Sequence, residues 1–184
     1  MTDWTNVRWT EAAQIMRLTG KLIGDDDPDP VLPEVHFAEL VAGDMLSDAV
    51  TFLAVALPRF ESISWAAHLL AARPGKPKLS GDRVALAAVL DWLDDPTDSK
   101  RRAANAAAEK AAHNSPEQLL ALATFMSGGS IAPEDINPIL PPPEICGKLA
   151  SAAILAHAFD MPEPQLVLSE ALEAGSLLAR KGAH

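Results

Sequence analysis

Apolar positions in this chain recur at intervals of three and four residues, and no segment alternates convincingly between apolar and polar positions. Such spacing is typical of helices that bury one face. One stripe of this kind consists of Ile63, Ala66, Ala67, Leu70 and Ala71. β-Branched residues are scattered, so strands have little to form from. The pattern predicts an all-α fold of about eight helices.

Glycine, proline and short polar residues divide the pattern into segments of helical length. The predicted helix boundaries lie at Thr10, Gly20, Pro33, Asp44, Pro58, Ser80, Thr97 or Asp98, and Ser115 with Pro116. We expect an irregular bundle or a stack of helical hairpins. One domain covering residues 1–184 is the default, with a possible division into an N-terminal helical segment, 1–57, and a core, 58–184.

Alanine content predicts which helix lies at the centre. Seven of the eleven residues from Arg102 to Ala112 are alanine. A helix with so little side-chain volume can approach neighbours on several sides. We therefore expect it to be central, with its large side chains extending from the helix ends.

Composition narrows the classes of partner. The formal net charge of -10 argues against a nucleic-acid partner, which requires a lysine- and arginine-rich surface. A single cysteine excludes an internal disulfide and fits a reducing compartment. The first residues do not resemble a signal peptide, and the longest apolar runs fall short of the ~18 residues of a membrane span. These features predict a cytoplasmic protein with no membrane span and with another protein as its partner.

The acidic loop contains a partial calcium-binding pattern. Asp25, Asp27 and Asp29 occupy the first, third and fifth positions of such a loop. The sixth position is Pro30 where glycine is needed, and the twelfth is His36 where glutamate is needed. We favour a solvated acidic linker.

Other candidate chemical groups are isolated. Glu109 and His113 lie four residues apart on one helical face, but no second histidine pair accompanies them, so a surface pair is favoured over a metal site. His68 and His157 lie in apolar helices, and we interpret both as hydrogen-bonded core or groove residues. No catalytic, cofactor-binding or metal-binding residue is predicted.

The four tryptophans divide into two pairs. Trp65 and Trp92 lie mid-helix among alanines, where an indole usually fills the core. Trp4 and Trp9 lie in a polar segment at the start of the chain. They either pack back onto the body or offer an aromatic anchor to a partner.

The segment SGGSIAPEDINPILPPPE, from Ser127 to Glu144, is called the strap below. Gly128 and Gly129 are placed to end the preceding helix in a left-handed turn, and Ser130 to bond the freed backbone groups. The strap has acidic residues and no lysine or arginine, which argues against phosphate binding. Without a GxSxG motif, its serines are interpreted as structural.

Prolines give the strap an extended, stiff backbone. They include Pro133, Pro138, Pro141, Pro142 and Pro143. We expect Ile136, Ile139 and Leu140 to pack on the helical body. The alternative is a strap presented to an aromatic groove of a partner.

Three motifs in fixed order resemble an uncharacterised family of helical bacterial proteins. They are WAAHLLAA at Trp65, the pattern W..DP followed by RRAA..AAE, and SGGSIAP followed by PPP. The resemblance covers about Pro58 to Ala158. It implies no activity or cofactor. The resemblance also implies a link with type VI secretion genes, and from it an accessory or adaptor role is expected.

Two adjacent arginines in the matching region have two possible roles. Arg101 and Arg102 either pair with Asp94, Asp95 or Asp98, or clamp the carbonyls of the strap. A clamp would combine the strap and the alanine-rich helix into one surface.

We therefore expect a non-enzymatic, protein-binding adaptor, accessory or chaperone-like protein. The candidate binding or structural residues are Arg101, Arg102, Ser127, Gly128, Gly129, Ser130, Pro133, Pro141, Pro142 and Pro143. Three alternatives stay open: an enzyme, in which His68, His157 and an acidic group converge; a small-molecule or lipid carrier with an apolar cavity; and an immunity protein that binds a basic toxin in a salt-sensitive way.

Overall fold

The computed structural model describes residues 4–22, 29–133 and 135–181, and in these ranges the chain forms nine α-helices and no strand. The all-α prediction is confirmed. The helices are α1 (Ala12–Thr19), α2 (Pro33–Ala42), α3 (Leu46–Ala56), α4 (Arg59–Ala72), α5 (Ser80–Asp94), α6 (Asp98–Ala108), α7 (Pro116–Phe125), α8 (Ile145–Phe159) and α9 (Pro164–Arg180).

Local signals set most helix ends. Gly20 follows α1 in a left-handed conformation, with φ of 77°. Pro33 occupies the first position of α2. The side chains of Thr97 and Ser115 accept hydrogen bonds from the first turns of α6 and α7. These ends agree with the predictions because each depends on its own few residues.

Two predicted N-caps were wrong. Ser80 is the first residue of α5, and the carboxylate of Asp82 accepts the backbone N–H groups of Lys78 (2.7 Å) and Leu79 (2.9 Å). Thr10 does not cap α1 either. In both helices a side chain of the first turn reaches back to the preceding N–H groups, which is the role that Gln14 has in α1.

Helix α8 occupies the centre, where it packs against α3, α4, α7 and α9. The alanine-rich α6 packs against α5 and α7, while Ala103 and Ala106 remain exposed. The prediction of a central α6 was therefore wrong. A helix whose apolar side chains are almost all methyl groups gains little free energy from burial on several sides. Helix α8 combines small residues with large ones such as Ile154, which is fully buried.

Glycines bring the central helices close together. A Cβ added at Gly147 of α8 would lie 2.6 Å from the carbonyl oxygen of Ala54 in α3. One added at Gly175 of α9 would lie 2.6 Å from the indole of Trp65 in α4.

Trp65 and Trp92 are buried, as predicted, and Trp65 Nε1 donates to the carbonyl of Ala171 at 2.8 Å. This packing leaves the strap and the start of α6 at the edge of the body.

Candidate functional site

The first turn of α6 directs Arg101 toward the end of α7 and the start of the strap. Arg101 is only 4% exposed. Its guanidinium donates to the carbonyl of Phe125, to the carbonyl of Ser130 at 2.7 Å and to Asp98 Oδ1 at 2.6 Å. The guanidinium carbon also lies 4.9 Å from the centroid of the Phe125 ring. One side chain thus joins α6, α7 and the strap.

Arg102 extends the same contact along the strap. It donates to the carbonyls of Ser130 (3.1 Å) and Ala132 (3.2 Å). Its Nε donates to Asp98 Oδ2 at 2.9 Å. The arginine pair therefore has both of the roles considered: it pairs with an acidic residue, Asp98, and it clamps the carbonyls of the strap. We call Asp98, Arg101 and Arg102 the clamp.

Asp98 remains ionised over a wide pH range. Hydrogen bonds from Arg101 and then Arg102 lower the pKa of its carboxyl group, and the two positive charges act in the same direction, while partial burial opposes them. The clamp consequently keeps its ion pairs at neutral pH.

The strap turns in a conformation that favours glycine, at a point where a side chain would be tightly packed. Gly129 has φ of 65°, the left-handed conformation predicted for this turn. A Cβ at this position would lie 3.2 Å from both Arg101 Nη2 and Asp98 Oδ1. Gly128 has negative φ and open space around it. Of the two glycines, the second is the one that the clamp requires.

Ser130 closes the base of a loop. Its Oγ accepts the backbone N–H groups of Ala132 and Ile139, both at 3.1 Å. The N–H of Ile131 donates to the carbonyl of Ile139 at 2.8 Å. The hydroxyl is thereby used as a structural acceptor, and these bonds join the segment 130–132 to Ile139 at the base of the loop.

The apolar side chains of the strap point into solvent. Ile136, Ile139 and Leu140 are 52%, 55% and 72% exposed, so the prediction that they pack on the body was wrong. Pro133, Pro142 and Pro143 are exposed as well, and Pro141 is buried. The loop is held by hydrogen bonds to its backbone at the base, and these bonds leave the tip unsupported by neighbouring helices. We call Ile136, Ile139 and Leu140 the apolar tip.

Beside the strap lies a cleft of about 800 Å³. It is lined by Arg8, Trp9, Gln14, the segment 55–59 and Pro143. Arg59 Nη1 also donates to the carbonyl of Ser127 at 2.9 Å, so both ends of the strap meet this cleft. Sequence reasoning missed the cleft because its two arginines lie far apart in the chain with no shared motif.

The two N-terminal tryptophans have different positions. Trp4 is buried, with its ring centroid 5.1 Å from that of Phe37. Trp9 is half-buried and lines the cleft. Only Trp9 is available to a partner.

The clamp and the strap lie within the part of the chain that a protein-family model matches. A family model described as "Family of unknown function (DUF6931)" matches residues 36–179. The chain belongs to this family. The match extends beyond the Pro58–Ala158 region of the motif resemblance and includes α9. No curated protein and no solved structure matches the chain.

His68 and His157 of this DUF6931 chain are not brought together. His68 is exposed at the rim of a groove of about 390 Å³ between α4 and α9, and its Nδ1 lies 2.7 Å from the carbonyl oxygen of Ser64. His157 is 2% exposed and does not line that groove. Its Nε2 has no partner among the described residues, so its predicted hydrogen bonding was wrong at this atom. Burial lowers the pKa of His157 and keeps the ring neutral.

Other reactive groups of the DUF6931 chain are similarly isolated. Burial raises the pKa of Cys146 to about 12, so its thiol is not an activated nucleophile. Glu109, His113 and Asp29 are exposed, while Asp25 and Asp27 lie outside the described residues. In residues 4–22, 29–133 and 135–181 no three His, Cys, Asp or Glu side chains are grouped to hold a metal. Across the same ranges no helix has the length and apolar character needed to cross a membrane.

Proposed function

We propose that this DUF6931 protein is a non-enzymatic adaptor that binds another protein through the apolar tip of its strap. The observation that carries the proposal is the contrast within the strap itself. Its base is fixed by the clamp, while Ile136, Ile139 and Leu140 project from it in an exposed group. Apolar side chains on a fixed loop are typical of surfaces that a partner covers.

The energetics of such a loop favour binding. Fully burying one Ile or Leu side chain contributes about 1.5–3 kcal/mol, so three of them form a sufficient centre for an interface. A loop whose base is already held by hydrogen bonds loses less conformational entropy on association than an unconstrained segment. The clamp would therefore act by preparing the tip for its partner.

The groups that an enzyme would need also support a binding role. Ser130 uses its Oγ as an acceptor for two N–H groups, and the Cys146 thiol is buried. Among residues 4–22, 29–133 and 135–181, neither side chain is hydrogen-bonded to a His, Asp or Glu that could act as a general base. These arrangements fit structural roles.

A site-specific photo-crosslink tests the proposal. A photoreactive amino acid placed at Leu140 should capture a discrete partner in native cells, and the same group at Leu79, 53% exposed just before α5, should not. Irradiation of a lysate at high salt should give the same capture, because apolar contacts do not depend on ionic screening. The type VI secretion link predicts that the captured protein belongs to that apparatus.

Matched surface variants complete the test. Ile139→Ser/Leu140→Ser should abolish recovery of the partner, while Leu79→Ser/Val84→Ser, which removes equally exposed apolar side chains, should not. Capture that disappears with salt would instead support an immunity protein bound to a basic toxin. Equal capture from positions 79 and 140 would reject the apolar tip as the recognition surface.

A further inference from the structure

The cleft beside the strap is positively charged in an acidic protein, and we infer that it binds an acidic peptide segment of a partner protein. Its floor consists of Val55, Ala56 and Leu57, which are all buried. Its rim carries Arg8, Trp9, Gln14, Arg59 and Pro143.

The charges around the cleft are complementary to carboxylates. The chain as a whole has a formal charge of -10, yet the described residues that line the cleft include two arginines and no acidic side chain. Arg8 is exposed and has no ion-pair partner among the described residues. Arg59 gives one N–H to the carbonyl of Ser127, and a guanidinium has five N–H donors. Both side chains therefore retain donors for carboxylate oxygens.

The size and the lining favour a peptide over an inorganic anion. A cleft of about 800 Å³ is much larger than a phosphate or sulfate ion and falls in the range of pockets that take up organic ligands, so it has room for several side chains of a peptide. Trp9 offers an aromatic face, and Pro58 and Pro143 add apolar surface. A ligand that matches this lining combines an apolar body with one or more carboxylates.

The position of the cleft indicates the source of that peptide. Pro143 at the end of the strap lines the cleft, and Arg59 on its rim holds Ser127 at the start of the strap. A partner bound at the apolar tip thus has a charged cleft beside the strap's base for a neighbouring acidic segment. In this respect the inference rests on the proposed function.

Selection from a library of short random peptides on the immobilised full chain tests this inference. A protein of this net charge repels acidic peptides in general, so the expected enrichment in Asp and Glu requires a local positive site. Selected peptides, once synthesised, should change the emission of Trp9, and Trp9→Phe should remove that change. Arg8→Ala should weaken their binding about tenfold, as for the loss of a hydrogen bond between charged groups.

Arg83→Ala is the matched control, because Arg83 is also exposed and lies outside the cleft. Arg8 makes no hydrogen bond to the described residues, so its replacement should leave the fold intact. Peptides without excess Asp or Glu, no enriched peptide at all, or equal binding to Arg8→Ala would each overturn the inference. If acidic peptides do not bind but a photo-crosslink from position 140 still forms, only the inference about the cleft is rejected and the adaptor function stands. If neither the peptides bind nor the crosslink forms, the cleft and the adaptor function are both rejected.

Discussion

Helix α8 meets α3 through a glycine, whereas α6 meets the strap through two arginines. At Gly147 the absence of a side chain lets two backbones touch. At Arg101 and Arg102 the longest side chains in the region bridge a gap and satisfy backbone carbonyls at its far side. The first contact has no tolerance for added volume, and the second has no tolerance for lost hydrogen bonds. The core is thus fixed by shape, while the exposed loop is fixed by polar bonds that leave its side chains free.

Gly147→Ala should produce the largest loss of stability. The new methyl group would lie 2.6 Å from the carbonyl oxygen of Ala54 and 2.8 Å from the Cα of Val55, so α3 and α8 must separate. We expect the free energy of unfolding to fall by about 3 kcal/mol, measured by urea denaturation. Gly128→Ala, which meets no atom within 4 Å, should have little effect. Equal losses for the two variants would contradict the role given to shape.

Arg101→Ala should have the next largest effect. It leaves the carbonyl of Phe125 without its side-chain donor, the carbonyl of Ser130 with Arg102 alone, and Asp98 with one arginine. We expect a loss of about 2 kcal/mol in thermal unfolding. Hydrogen exchange should accelerate at the strap amides of Ile131, Ala132 and Ile139, because their hydrogen bonds form at the segment 130–132 whose carbonyls the clamp holds.

A lysine substitution sharpens this result. Arg101→Lys keeps the charge but cannot reproduce the planar set of donors, so it should restore little protection to the strap amides. Arg102→Ala should cost less than Arg101→Ala because the Arg102 side chain is 28% exposed. Unchanged exchange in all three variants would show that the clamp does not order the strap.

The two contacts also differ in how far the sequence could predict them. The SGGS turn follows from residue chemistry close to the motif: Gly129 adopts positive φ, and Ser130 bonds nearby N–H groups. The contact of Arg101 with Ser130 joins residues 29 positions apart, so the sequence offered it only as one of two alternatives. The close approach at Gly147 depends on which helix lies opposite, which local patterns do not contain. For the same reason alanine content misplaced α6 at the centre.

Local sequence patterns could not predict that the apolar tip is exposed or that the cleft forms. Isoleucine and leucine predict burial on average, but Ile139 and Leu140 lie on a loop whose backbone is held without them. The cleft arises only when Arg8 and Arg59 meet across the folded chain. Sequence patterns therefore gave the helices and the turn, and tertiary packing decided the surface.

Asp98→Asn should produce the smallest loss of stability, and the pH dependence of that loss should distinguish the clamp from the α3–α8 contact at Gly147. The folded-state pKa of Asp98 lies below its ordinary value of 3.8 because Arg101 and Arg102 bond its carboxylate. A lowered folded-state pKa stabilises the protein above the unfolded-state pKa, and this contribution is lost as the pH falls through the folded-state value. Asp98→Asn should therefore reduce stability at pH 6 by about 1 kcal/mol or less, as is usual for a partly exposed ion pair, and this deficit should shrink below about pH 4.

Gly147→Ala provides the reference for that titration. Its deficit comes from a contact between uncharged backbone atoms, so the difference from the unmodified protein should stay constant over the same pH range. Urea denaturation of both variants and the unmodified chain from pH 6 to pH 3 measures the two differences under identical conditions. A deficit of Asp98→Asn that stays constant to pH 3 would mean that the carboxylate's charge does not stabilise the clamp. The strap would then be held only by the hydrogen bonds from the two arginines to its carbonyls. The comparison would in that case be between a contact fixed by shape, at Gly147, and one fixed by hydrogen bonds, with no contribution from the Asp98 ion pairs.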